Sequence, residues 1–74
     1  KKGGLYPCIL NAANEVCVYS FLERKIRFTE IFDIVARMVK INVSHIPLTV
    51  ENIIRIDNET RKETLKLIET IKHM

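Results

Sequence analysis

Asn11, Asn14 and Glu15 stand at i, i+3 and i+4 in a stretch that is otherwise largely apolar. On a helix that spacing gathers two amides and a carboxylate on one face. Amides have poor propensity at helix-interior positions, and a solvated face more often carries Lys and Glu. The three residues therefore read as groups with specific hydrogen-bond partners, either loops of the same domain or a neighbouring domain. Asp57 and Arg61, an oriented i,i+4 pair, are the second such group. The other reactive side chains do not assemble. His45 and His73 belong to no H-x3-H pair, and there is no C-x2-C, so the usual metal-ligand spacings are missing. Cys8, Cys17 and Ser20 have no histidine near them in sequence to act as a base. Gly3-Gly4 ahead of Pro7 is too little for a phosphate cradle, and proline removes one of the amides needed. No residue is assigned a catalytic, cofactor-binding or metal-binding role.

The two cysteines are nine residues apart. On one helix that is about 900° of rotation and roughly 13 Å of rise. A disulfide needs alpha carbons within about 7 Å. They are not expected to pair, and two free thiols fit a reducing compartment. Each reads as a small apolar filler.

Seventy-four residues make one small domain, residues 1–74. A chain this short buries only about 60% of its unfolded surface. With 47% hydrophobic and 28% charged residues it reads as globular, and no apolar run approaches the ~18 residues of a membrane span. Lys1-Lys2 followed by Gly3-Gly4 is not a signal peptide. The chain opens on Lys1 rather than methionine and reads as a piece of a longer protein or a processed product. The net charge of +3 is mild. Nucleic-acid binding would want it gathered on one face, whereas Arg55, Arg61, Lys62, Lys66 and Lys72 alternate with Asp57, Glu59, Glu63 and Glu69. That is the pattern of a solvated helix laced with ion pairs.

The elements that must position these residues are helical. After an approach segment, residues 1–6, the first helix is predicted over 7–24, with Pro7 at the favoured first position. Its apolar stripe is Ile9, Ala12, Ala13, Val16, Cys17 and Phe21, widened by Leu10, Val18 and Leu22. The cations in "ERK" would sit at its negative end. A second helix is predicted over 29–42, capped by Thr29, with Glu30 and Asp33 in its first turn. Its face is Ile31, Ile34, Val35, Met38 and Val39. Pro47 disfavours helix at Ile46, so a loop follows, tucked in through Val43 and Ile46. The third helix, 49–73, is capped by Thr49. Val50, Ile53, Ile54, Leu65, Ile68 and Ile71 would share one face, and the polar residues 57–63 would pass over solvent for two turns. A break near Asp57 would make four helices. Continuity is favoured by Asp57–Arg61 and by i,i+3 pairs Glu59–Lys62, Glu63–Lys66 and Glu69–Lys72. The fold class is all-α, a small bundle of three main helices.

The block "LNAANEV", residues 10–16, followed by "FLERKIRFTEI", residues 21–31, resembles the C-terminal domain of the 1-deoxy-D-xylulose 5-phosphate reductoisomerases. A later pattern is matched by Ile53, Ile56, Asp57 and Arg61. Tyr19-Ser20 stands where that family usually has small residues. The resemblance implies a helical domain of an enzyme that rearranges and reduces its substrate in the non-mevalonate route to isoprenoids. It further implies that NADPH and a divalent metal, Mg or Mn, are held by an N-terminal cofactor domain and a central catalytic domain absent from this chain. Those domains would be its partners, in a homodimer of a bacterial cytoplasm or a plastid stroma. Nucleic acid and membrane are not expected partners. None of the family's cofactor, metal or substrate residues maps onto these positions. The alternative is a stand-alone helical module that binds protein or nucleic acid.

Overall fold

The computed structural model describes residues 4–41 and 43–72, with Lys72 described in its backbone alone. Three helices follow in order: α1 (Tyr6–Leu22), α2 (Phe28–Met38) and α3 (Val50–Lys72). No strand occurs among the described residues. The short reversal at residues 23–27 lays α2 antiparallel to α1. The longer loop ahead of Val50 returns the chain, so that α3 runs antiparallel to α2. Cys8 then meets Ile53, and Glu15 meets Arg61, which makes α1 and α3 parallel neighbours.

The ends of the helices follow local chemistry, with several departures from expectation, among them that α2 ends at Met38, with Val39 as its C-cap, and not at 42. Helix α1 starts one residue earlier, at Tyr6, with Pro7 at the second position and Leu5 as N-cap. Leu5 lies in the core instead of in a linker. The other end stops at Leu22, so the cations of residues 24–25 lie beyond the helix. There Arg24 adopts φ 63°, the left-handed region. Its N–H reaches the Phe21 carbonyl at 2.9 Å, and that of Lys25 reaches Ser20, also at 2.9 Å. This is a Schellman termination with arginine where glycine is usual. Helix α2 starts at Phe28, and Thr29 is not its N-cap; Arg27 holds that place. The Glu30 carboxylate accepts the Arg27 backbone N–H at 2.6 Å, half of a capping box. Arginine has no acceptor with which to complete the other half. Thr49 caps α3 as expected, its Oγ1 accepting the Asn52 N–H at 3.1 Å.

The core runs along the inner seam of the three helices. Ile9, Ala12, Ala13, Val16 and Cys17 of α1 meet Ile31, Ile34 and Met38 of α2, with Ile26 and Val43 closing from the loops. Phe21 is not in this stripe but exposed, and Ser20 takes the buried place. Leu10, Val18 and Leu22 do not widen the buried face either; all three are exposed.

Helix α3 is continuous through Asp57, but its buried face is not the one that the isoleucines suggest. Val50, Ile53, Ile54 and Leu65 are exposed, while Ile56, Thr60, Thr64 and Ile68 are buried. The polar stretch therefore touches the core instead of bridging solvent. Thr64 donates its hydroxyl to the Thr60 carbonyl at 2.6 Å, which satisfies the polar atom inside the helix. Of the expected ion pairs, Asp57–Arg61 forms at 3.0 Å and Glu63–Lys66 at 3.4 Å. Glu59 pairs backward with Arg55 at 3.7 Å instead of forward with Lys62. The Glu69–Lys72 pair falls on a side chain outside the described residues.

Candidate domain-contact surface

Four of the five polar residues singled out by spacing meet along one seam. Helices α1 and α3 lie side by side in parallel, which brings Glu15 opposite Arg61. The Glu15 Oε1 is 2.7 Å from Arg61 Nη1, and Asp57 Oδ2 accepts from Arg61 Nε at 3.0 Å. One guanidinium thus ties a carboxylate of α1 to a carboxylate one turn back on its own helix. The fork of donors on arginine suits this double role. Asp57 and then Glu15 hold the Arg61 guanidinium above its ordinary range. All three side chains reach solvent, so the cluster holds the seam in register more than it stores energy.

Asn11 lies at the N-terminal end of the same seam. It lines a cleft of about 340 Å3 together with Cys8, Ile53, Ile54 and Asp57. Cys8 points its thiol at the Ile53 carbonyl, 3.4 Å away. Burial first, and the nearby Asp57 carboxylate second, push that thiol above its usual value. Asn14 lies further round α1 and is exposed, as are Asn11 and Glu15. Neither amide side chain makes a hydrogen bond to another described residue. The described residues thus give no sign that these amides tie down loops of this domain. Spacing reads Ile53 and Ile54 as part of a buried stripe and Cys8 as an apolar filler, so it does not announce the cleft that they line. The signal available was apolar residues at 53, 54 and 56, a wider arc than one helix face can bury.

The other reactive residues are dispersed. Cys17 is fully buried, and that burial pushes its thiol up to about 11. Both cysteines are free. His45 lies exposed in the loop before α3, and His73 lies outside the described residues. Among the described residues no three of His, Cys, Asp and Glu stand where they could hold a metal ion. Five of the described acids, Glu15, Glu23, Asp57, Glu59 and Glu63, are instead paired with cations. Nor does an all-helical backbone supply the strand–glycine–helix turn that usually cradles a dinucleotide. No described helix is long and apolar enough to cross a membrane.

The fold and seam define a class, the small three-helix domain whose side chains hold its helices in register. The chain belongs to the DXP reductoisomerase C-terminal domain family, whose profile matches residues 1–63. It is 44% identical over 68 residues to a 1-deoxy-D-xylulose 5-phosphate reductoisomerase of Clostridium beijerinckii, a match spanning 89% of this chain and 18% of that enzyme. It is 38% identical over 71 residues to the enzyme of that name from Zymomonas mobilis, spanning 96% of this chain and 18% of the relative. A Clostridium botulinum reductoisomerase is 45% identical over 64 residues, spanning 84% and 17%. The chain thus spans less than a fifth of the length of these relatives, and it matches their C-terminal region. No solved structure matches it.

Proposed function

We propose that this domain acts as the structural C-terminal bundle of an NADPH-dependent 1-deoxy-D-xylulose 5-phosphate reductoisomerase. In this reading it braces the cofactor and catalytic parts of the same polypeptide. The observation that carries the reading is α1. Across Tyr6–Leu22 its one charged residue is Glu15, and its outer face shows Leu10, Asn11, Asn14, Val18 and Leu22 to solvent. A helix that is apolar nearly all round is one that its protein buries on all sides. The 74 residues cover only one of those sides.

Hydride transfer, and the divalent metal that polarises the substrate, belong in this reading to the preceding domains. The homodimer and the bacterial cytoplasm or plastid stroma come with the same proposal. Two measurements test it. Calorimetric titration of the 74-residue chain with NADPH is expected to give no saturable heat at micromolar concentration. Truncating the full-length protein before Lys1 is expected to leave NADPH binding in place while lowering both Tm and turnover. A truncated enzyme with unchanged Tm and turnover would refute the bracing role.

A further inference from the structure

Among the exposed apolar residues described, two groups lie at opposite poles of the bundle. At the pole where α1 and α3 both begin lie the cleft of Cys8, Asn11, Ile53, Ile54 and Asp57 and, beyond it, Leu48 and Val50. Ile54 is 56%, Leu48 62% and Val50 70% exposed. At the other pole Phe21, Phe28 and Phe32 form an edge-to-face ladder with centroids 5.7 and 5.3 Å apart. From the geometry we infer that the first patch is the seat on which the domain docks against the part of its own polypeptide that precedes it. This inference rests on the bracing role proposed above and adds to it the surface used.

Three observations select the α1–α3 pole and this occupant. Four-fifths of the length of the relatives lies outside the match, which falls in their C-terminal region. The rest of such a protein therefore approaches through the N-terminal side of α1. Gly4 turns into α1 at φ 58°, and Leu5 is anchored in the core, so the approach is fixed at this pole. A surface beside a tether meets the tethered partner at an effective concentration in the millimolar range. The aromatic ladder begins at Phe21, roughly 20 Å further along α1 than Cys8, away from the tether.

The chemistry of the patch agrees. Four of the five residues lining the cleft, Cys8, Asn11, Ile53 and Ile54, are uncharged, and Asp57, the fifth, is already paired with Arg61. Depletion of charge at the centre with polar groups at the edge is the anatomy of a protein interface. Here Asn11 offers both amide functions at the rim, and Asp57 stands opposite it with Arg61 already on Oδ2. The occupant that fits is an apolar side chain set into the cleft, flanked by a backbone or amide group that pairs with Asn11.

The test uses the full-length protein. Ile54→Cys and Phe32→Cys variants are labelled with a maleimide, and modification is read peptide by peptide by mass spectrometry. Position 54 is expected to react at least 10-fold more slowly than position 32, at all protein concentrations. In parallel, Ile54→Asp and Asn11→Ala are expected to lower the Tm of the full-length protein while helix content holds, and Phe32→Asp is not. If position 32 is protected and position 54 reacts freely, the seat is wrong, and the bracing role stands on the truncation result alone. Protection of position 54 that disappears on dilution would assign the cleft to a second copy and overturn the inference. Free reaction at both positions, with no loss on truncation, would sink the seat and the bracing role together.

Discussion

Asn14 carries the clearest consequence at the scale of single residues. Its amide has no partner among the described residues, so Asn14→Leu removes nothing that they use and improves helix propensity. The expected change in the 74-residue chain is within about 0.5 kcal/mol, read by thermal melting; a loss of 1–3 kcal/mol would reveal an internal partner. Arg61 is different, since it joins two helices. A double-mutant cycle of Glu15→Gln and Arg61→Gln is expected to give a coupling of about 0.5–1 kcal/mol that shrinks as salt is added. No coupling at low salt would mean that the seam is held by packing alone. Cys17 sets a pH limit. Its folded thiol titrates at about 11 against an ordinary value of 9.0. The folded state therefore holds a proton that the unfolded state releases, and the associated stability is intact below pH 9 and is lost as pH rises towards 11. Replacing Cys17 by alanine is expected to flatten the fall of stability across that window in denaturant titrations. An unchanged slope would mean that this thiol does not titrate as its burial implies.

The helices differ in how plainly the sequence announces them. Helix α2 is a regular amphipath, and Ile31, Ile34 and Met38 are buried where their spacing puts them. Helix α3 is misread by hydrophobicity, because Thr60 and Thr64 score as polar yet are buried, with the Thr64 hydroxyl turned back onto the Thr60 carbonyl. The isoleucines at 53 and 54 stand out because they serve the surface. The polar residues of the seam were legible one by one. The Glu15–Arg61 bridge was not, since periodicity within a helix says nothing about which helix lies alongside. The end of α1 offers a direct test of element-level chemistry. Arg24 in the left-handed region bears a cost of about 1–2 kcal/mol that glycine avoids, partly offset by the greater freedom of glycine when unfolded. Arg24→Gly is expected to raise stability by about 0.5–1 kcal/mol in a urea titration. A loss would show that the arginine side chain supports the turn.

On the scale of the whole molecule, the parallel pairing of α1 and α3 has a mechanical meaning. An up-down-up bundle sends its first and last described residues out at opposite poles of a body 35 Å long. Tension applied between those ends therefore loads the α1–α3 seam along its length, so that the Cys8–Ile53 contact and the Glu15–Arg61 bridge must slip together. A bundle with both ends at one pole would instead peel one contact at a time. Single-molecule pulling between residues 5 and 72 is expected to show one abrupt rupture, at higher force than pulling between residues 5 and 41, which lie at one pole. Equal forces along both axes would mean that the seam does not carry load as a unit.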